Sequence, residues 1–352
     1  MGWTIERIES ELLLVRANEL TWTQEVTLAA VNRAEDLLGP NWIQSQTRGA
    51  KGLAVGVPII QTGVELRSLE GARNAQPLLD EIRRNTLSAF AELSAIHLLR
   101  SKHWNVELEL YPEVGNRKPD FRIRKPGDPW TTTEVTNPVD SKALTSLRNR
   151  VGKLAKNLAQ IDHPFSLEVL FTKAPNEKEL EMLAARLPEF CTLNGRHHAT
   201  LNDGLGHLFL NDVEVGQLIG HEVAEPGNVP LIGMAVLVGG PAGKPTRQII
   251  VRVPFTDERA ARILEDEAPQ LPRNEISLII VEVGHAPGGL ESWVPLLKRR
   301  FGPNINTRVS GVGLYKKSTG TVDGRYGVVL ESKLVVNPHP QQKLPRWIQS
   351  GF

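Results

Sequence analysis

The chain has a single cysteine, Cys191, among its 352 residues, so it cannot form an internal disulfide bond. It has no apolar run long enough to span a bilayer, and its N-terminus lacks the basic and then apolar segments of a signal peptide. Internal repeats and low-complexity segments are also missing. These absences exclude a disulfide-stabilised secreted scaffold and predict a cytoplasmic protein with no membrane partner.

The chain also lacks a strong net charge and a nucleotide-binding motif. The formal charge of the whole chain is only +1, which does not by itself indicate a polyanionic partner. The glycine-rich segment 239–245 is one residue short of a phosphate-binding loop, and Pro245 occupies the position that requires Ser or Thr. The spacing of His197, His198, His207 and His221 does not match a zinc site. The sequence therefore predicts neither a P-loop nucleotidase nor a zinc protein.

Two short segments carry acidic residues in a pattern that indicates chemistry. Asp120 begins the apolar run after Pro119, and Glu134 lies near the end of a threonine-rich run, with the turn-forming segment 125–129 between them. Both runs have the two-residue alternation of strands, so we expect an antiparallel hairpin in which a suitable register brings the two carboxylates together. Two neighbouring carboxylates can share one divalent cation, which predicts metal-dependent chemistry on a phosphate.

A buried helix is expected immediately before these strands, at about residues 86–100. It is apolar nearly all round, yet it carries Glu92 within the apolar pattern. A carboxylate is rarely buried without a partner or a metal ion. Glu92 is therefore a candidate third acidic residue.

The order of these features resembles the PD-(D/E)xK nuclease superfamily over residues 86–172. The matching motifs are the Pro119-Asp120 pair, the hairpin, and the Glu134-x-Thr136 sequence, followed by an amphipathic helix and a strand. The resemblance implies an α/β fold with a restriction-endonuclease-like mixed sheet flanked by helices. We predict an N-terminal helical region at 1–85, the nuclease-like core at 86–174, and a C-terminal α/β extension at 175–352.

The resemblance also implies roles for individual residues. Asp120 and Glu134 would bind Mg²⁺ or Mn²⁺, with the Val135 carbonyl as a third oxygen ligand and Glu92 binding a second ion directly or through water. The implied activity is hydrolysis of phosphodiester bonds in nucleic acid, with DNA favoured over RNA. A homo-oligomer is compatible with this family.

The chain departs from the family pattern at Thr136, where the family usually has a lysine. That lysine orients the attacking water and stabilises negative charge. Thr136 could orient the water, and Lys142 or Arg122 could supply the missing charge. If none of them does, the site is degenerate and the protein only binds nucleic acid or a protein partner.

Basic residues are concentrated around the motif. Between residues 117 and 156 there are ten Lys or Arg and four acidic residues, although the whole chain is nearly neutral. A basic rim around an acidic pocket suits cleavage of a polyanion, whereas an ordinary solvated surface is the alternative. The candidate nucleic-acid-binding residues are Arg117, Lys118, Arg124, Lys153 and Lys156; the last two lie on the polar stripe of an amphipathic helix at about 141–161.

The remaining segments have simpler interpretations. The glycine-rich apolar segment 49–63 is expected to be a packed loop or strand, and residues 276–283 form a continuous apolar run typical of a strand buried on both faces. A third functional alternative also remains. The chain could be an unrelated α/β protein in which Glu134 pairs with an arginine and the two carboxylates lie on distant faces.

Overall fold

The structure is a computed structural model of the chain. It describes residues 2–108, 119–138, 142–161, 163–201, 204–211, 231–238, 247–254, 259–284 and 289–352. The proposed nucleic-acid-binding residues Arg117 and Lys118 lie outside these residues, and only the backbone of Lys142 is described.

The described chain combines helices with mixed β-sheets, which is the α/β class predicted from the sequence. The α-helices are α1 (Ile5–Ile8), α2 (Gln24–Leu38), α3 (Pro40–Thr47), α4 (Leu53–Leu66), α5 (Gln76–Arg83), α6 (Leu87–Ser101), α7 (Lys142–Leu158), α8 (Glu177–Cys191), α9 (Arg259–Glu267), α10 (Gly289–Lys298) and α11 (Arg346–Gln349). The strands are β1 (Asn105–Leu108), β2 (Phe121–Arg124), β3 (Thr131–Thr136), β4 (Phe165–Phe171), β5 (His197–Thr200), β6 (Gly206–Asn211), β7 (Leu231–Val238), β8 (Arg247–Pro254), β9 (Ile276–Glu282), β10 (Gly311–Val322) and β11 (Arg325–Val336). No helix in the described part combines the length and hydropathy that crossing a bilayer requires.

Two compact units divide the chain, and their limits differ from the predicted boundaries near residues 85 and 174. Unit 1 contains Met1–Pro138, Arg259–His285 and Gly289–Phe352, whereas unit 2 contains Val139–Glu258 and Ala286–Gly288. Unit 2 is thus inserted directly after β3. The predicted nuclease-like core continued from β3 into α7 and β4, but both elements belong to unit 2, and in unit 1 the chain resumes with α9 and β9.

Unit 1 is built on a mixed sheet in which the described strands follow the order β1-β2-β3-β9-β10-β11. Strands β1, β2 and β3 form an antiparallel meander, β9 is parallel to both β3 and β10, and β11 returns antiparallel to β10. The central position of β9 explains its sequence, because Leu278, Ile279, Ile280 and Val281 are fully buried. The predicted hairpin and the predicted buried strand are both confirmed.

The helices before β1 share one hydrophobic core with this sheet. Side chains from α2, α4 and α6 pack in the same cluster as Val135, Leu278, Ile280 and Tyr315 of the strands. The N-terminal region is therefore helical, as predicted. The expectation of a loop or strand at residues 49–63 was wrong, because most of this segment forms the first part of α4.

Gly63 of α4 lies where the helix contacts α2. At this position a Cβ atom would lie 1.9 Å from the Ala30 backbone oxygen, so α2 and α4 approach each other more closely than a side chain would permit. We expect Gly63→Ala to lower the free energy of unfolding by about 1–3 kcal/mol, because the backbone of α2 would have to move. Urea unfolding checks this, with Gly320→Ala as the control because a Cβ there meets nothing within 4 Å. Equal stability of the two variants would contradict the close contact.

Unit 2 has its own sheet and its own core. Its described strands follow the order β5-β6-β4-β8-β7, with β4 and β8 parallel. The apolar stripe predicted for α7 is confirmed, since Leu144, Leu147, Val151, Leu154 and Leu158 are buried. Cys191 lies in the same core, where burial raises the pKa of its thiol to about 12, so it has a packing role and is not an activated nucleophile.

Candidate active site

The hairpin β2–β3 brings Asp120 and Glu134 together. Phe121 pairs with Thr133 in the antiparallel ladder, so Asp120, one residue before β2, stands opposite Glu134. The Val135 amide donates a hydrogen bond to Asp120 Oδ2 at 2.6 Å, and the Asp120 amide donates to the Glu134 carboxylate. Each acidic residue is therefore held by the backbone of the opposite strand, which makes their separation a property of the sheet.

Glu134 is unusual because it is buried with an unused oxygen. Its side chain is 6% exposed, and Oε2 has no hydrogen-bond partner among the described groups. Burial, and after it the negative charges of Asp120, Glu267 and Glu92, raise the pKa of this carboxyl to about 10, although the hydrogen bond from Asp120 acts in the opposite direction. Without a cation, Glu134 is therefore protonated at neutral pH.

Four acidic side chains consequently interact in unit 1: Asp120, Glu134, Glu92 and Glu267. Glu92 lies on α6, which packs against β3 and β9, and it is half-buried. The charge of Glu92 is one of those that raise the Glu134 pKa, and its predicted binding of a second metal ion remains a prediction. We call these four residues the acidic cluster.

Glu267 was missed by the sequence analysis. It is the last residue of α9 and is separated from Glu134 along the chain by Val139–Glu258, the larger part of unit 2. The parallel pairing of β3 with β9 brings α9 back to the hairpin. One signal was available: residues 265–267 are three consecutive acids at the C-terminal end of a helix, where the helix dipole disfavours negative charge.

The side chains of the acidic cluster do not all converge on one point where a metal ion could bind. Among the described residues, no group of three or more His, Cys, Asp or Glu side chains is placed to hold one metal ion. The direct contacts join Asp120 to the segment Glu134–Val135, whereas Glu92 and Glu267 act on Glu134 through their charges. Val135 is joined to the site through its amide, and metal binding by its carbonyl remains a prediction.

The candidate cations on β2 have other contacts. Arg122 donates to Glu107 Oε2 on β1 at 2.6 Å, and its guanidinium lies 4.4 Å from the centre of the Trp130 ring. Arg124 stacks on the same ring at 4.2 Å. Both arginines therefore have partners other than the acidic pair, and no described cation is among the groups that shift the Glu134 pKa.

The other predicted residues lie at different places. Thr136 is half-buried, two residues beyond Glu134 on the same face of β3. Lys142 begins α7 in unit 2, and Lys153 and Lys156 are exposed on that helix. Their predicted roles in catalysis and nucleic-acid binding remain predictions.

A buried arginine that the sequence analysis did not single out lies close to the end of β3. Arg259, the first residue of α9, is 8% exposed and donates to the Pro138 carbonyl at 3.0 Å. Nearby, Asn137 Nδ2 donates to Glu282 Oε2 at 3.0 Å, so Glu282 makes a polar contact at the end of β9. The two residues after Thr136 are thus bound by hydrogen bonds, Pro138 to α9 and Asn137 to β9.

The pairing of β2 with β3 contradicts the arrangement of carboxylates that the third alternative expected. Asp120 and Glu134 are neighbours rather than residues on distant faces, and the charges that act on Glu134 are all acidic. In comparisons with known proteins, no family model, no curated protein and no solved structure matches this chain. The inference of function therefore depends on the acidic cluster and the elements that carry it.

Proposed function

We propose that this chain is a divalent-metal-dependent nuclease that hydrolyses phosphodiester bonds, with DNA as the favoured substrate. The observation that carries the proposal is the Glu134 carboxyl, which is buried among three other acids with one oxygen unbonded and no described cation acting on it. A hard divalent cation is the ligand that such an oxygen and its acidic neighbours accept best. Its charge would lower the Glu134 pKa and offset the repulsion within the cluster.

The order of elements in unit 1 supports membership of the PD-(D/E)xK superfamily. A helix with Glu92, three meandering strands with Asp120 and Glu134, a helix and a parallel strand follow one another, as the resemblance implied. The last helix and strand of this order are α9 and β9, which follow residues 139–258 of unit 2 along the chain, and not the helix and strand within residues 86–172 to which the resemblance pointed. An insertion between β3 and the next helix leaves the pairing of β3 with β9 intact, so the fold tolerates it.

The residues of the cluster would divide the work as follows. Asp120 and Glu134 would hold Mg²⁺ or Mn²⁺, while Glu92 and Glu267 would add negative charge that strengthens its binding. A bound ion of this kind lowers the pKa of a water nucleophile and stabilises charge on a phosphate. Thr136, with a hydroxyl on the same face of β3, would orient the attacking water.

A second function has a specific observation in its favour. Thr136 replaces the usual lysine, and the described carboxylates are not placed in threes around one point. Both features suit a protein that has kept the fold and binds nucleic acid without cleaving it.

Cleavage assays separate the two functions. Plasmid, linear duplex, single-stranded DNA and RNA would be incubated with Mg²⁺ or Mn²⁺ and with the wild type, Asp120→Asn or Glu134→Gln. We expect metal-dependent cleavage by the wild type. In each variant the cleavage rate should fall by at least about 100-fold, because the metal ion loses a ligand that it needs; this factor corresponds to about 3 kcal/mol of lost transition-state stabilisation.

The matched control is Glu291→Gln, which makes the same chemical change at an exposed residue paired with Lys333. It should cleave like the wild type. If no substrate is cut by the wild type while DNA binding is unaffected by the substitutions, the binding-only function is correct. If the wild type and the Asp120 and Glu134 variants cleave equally, the acidic cluster is not the active site.

A further inference from the structure

A cavity of about 360 Å³ lies in unit 1 at the C-terminal end of α9. Its lining includes Arg273, Arg308, Asn306, Thr307 and Gln341, together with Glu265 of α9. It lies within the range of volumes that hold small ligands, about 300–1,000 Å³, and its walls carry two guanidinium groups and several neutral hydrogen-bonding groups.

Arg308 is fixed in place by the backbone around the cavity. Its Nη1 atom donates to three carbonyl oxygens, those of Ala268, Pro269 and Leu271, at 3.2–3.3 Å. This arrangement secures one edge of the guanidinium group and places the side chain in the cavity wall, where it is half-buried. A preorganised arginine of this kind suits bidentate binding of an oxyanion.

Arg273 adds a second positive charge to the same wall. Burial lowers the pKa of the Arg308 guanidinium, and the charge of Arg273 lowers it further, so the two groups are close enough to repel each other. The acidic residue of the lining, Glu265, lies 3.8 Å from Arg300 and is largely exposed. Two like charges at one cavity are relieved when an anion binds between them.

The cavity adjoins the acidic cluster through the chain itself. Glu267 belongs to the cluster, and the next two residues, Ala268 and Pro269, line the cavity. Consecutive Cα atoms are about 3.8 Å apart, so the cavity wall begins one residue from the cluster.

We propose that the cavity between Arg273 and Arg308 is a phosphate-binding subsite that holds a backbone phosphate of the nucleic acid next to the acidic cluster. The choice of nucleic acid as the source of the phosphate rests on the proposed nuclease function. The subsite would position the strand and carries no sequence information, because contacts to phosphate fix register and do not read bases.

The test measures binding without metal, so that it does not depend on cleavage. A fluorescent single-stranded DNA oligonucleotide would be titrated with full-length protein in EDTA at several salt concentrations. We expect Arg273→Gln to weaken binding by about 5–10-fold and to reduce the slope of log K against log salt by about 1, as loss of one phosphate contact should. Arg273 is exposed, so this substitution should leave the fold intact, which a thermal unfolding curve checks.

Arg325→Gln is the matched control, because it removes the same charge from an exposed residue at the start of β11, outside the cavity. It should bind like the wild type. If Arg273→Gln and Arg325→Gln give the same affinity and the same salt slope, the subsite is overturned. A second probe, a nucleoside monophosphate, distinguishes the source of the phosphate: Arg273-dependent binding of this probe without binding of the oligonucleotide overturns the nucleic-acid assignment.

Failure of this inference and failure of the proposed function are distinguishable. Cleavage by the wild type combined with equal binding by the two arginine variants would overturn only the subsite. Arg273-dependent DNA binding without cleavage in any metal would support the subsite and overturn the catalytic function.

Discussion

Glu134→Gln is expected to make the metal-free protein more stable than the wild type at alkaline pH. The folded-state pKa of Glu134 is raised from 4.5 to about 10, chiefly by burial and then by the charges of Asp120, Glu267 and Glu92. Between these two values the folded state keeps a proton that the unfolded chain has lost, so the wild type loses stability as pH rises. Glutamine has the same shape, can still accept the Asp120 amide, and does not ionise.

The expected size is large for one substitution. Above the ordinary pKa of a glutamate, the wild type should lose up to about 1.4 kcal/mol per pH unit relative to the variant, so that the difference reaches at most about 6 kcal/mol near pH 9. Urea unfolding at about pH 5, 7 and 9 measures it in the presence of EDTA. Glu291→Gln is again the control, because its exposed side chain should leave the wild-type pH dependence unchanged. Parallel pH profiles for the wild type and Glu134→Gln would contradict the raised pKa.

The same series reports on metal binding. A cation that binds the ionised cluster must displace the Glu134 proton, so Mg²⁺ should stabilise the wild type more at about pH 9 than at about pH 5. Glu134→Gln should lose most of this stabilisation. Stabilisation by Mg²⁺ that is equal in the two proteins would place the ion elsewhere.

Lys317→Met is expected to produce the other large effect, at a buried ion pair between the helices and the sheet of unit 1. The Lys317 ammonium on β10 lies 3.3 and 3.4 Å from the two carboxylate oxygens of Glu65 on α4, which is fully buried. Gln61 and Ser94 also donate to Glu65, and Lys317 donates to Ser94 Oγ at 2.7 Å. These hydrogen bonds tie α4 and α6 to the sheet.

Removing the ammonium would leave Glu65 charged, buried and without a cation, which costs about 3–5 kcal/mol at a site of this kind. The double variant Glu65→Gln with Lys317→Met should recover most of that loss, because it removes both charges. The control is Lys333→Met on β11, whose partner Glu291 is exposed, and an exposed pair contributes at most about 1 kcal/mol. Urea unfolding measures both variants. If Lys317→Met and Lys333→Met lower the free energy of unfolding equally, the buried pair stabilises the fold no more than the exposed pair does.

The hairpin was predictable because its signals are local. Alternating side chains predict β2 and β3, and turn-forming residues separate them. The register that places Asp120 opposite Glu134 is a finding of the structure. The buried strand β9 and the amphipathic stripe of α7 were predictable for the same reason, since each follows from residues that are close together in the chain.

The partners of these elements were not predictable. The stripe of α7 shows that the helix buries one face, but the same stripe would suit either sheet, and the structure packs α7 in the core of unit 2. The core of unit 1 instead resumes at α9, after an insertion that no composition change marks. Lys142 begins the helix that follows β3, as predicted, but this helix belongs to unit 2 and not to the core of unit 1.

The acidic cluster shows the division most clearly. Asp120 and Glu134 are one hairpin apart, so sequence patterns place them on neighbouring strands, and the register of the structure sets them opposite each other. Glu267 joins them only because β9 pairs in parallel with β3 across the inserted unit, and Glu134 acquires its raised pKa only when the helices and the sheet exclude water from it. Neighbouring residues determine the local backbone preferences, so the sequence predicts them. The burial of Glu134 and the electrostatic effect of distant charges on its pKa arise only once the chain has folded.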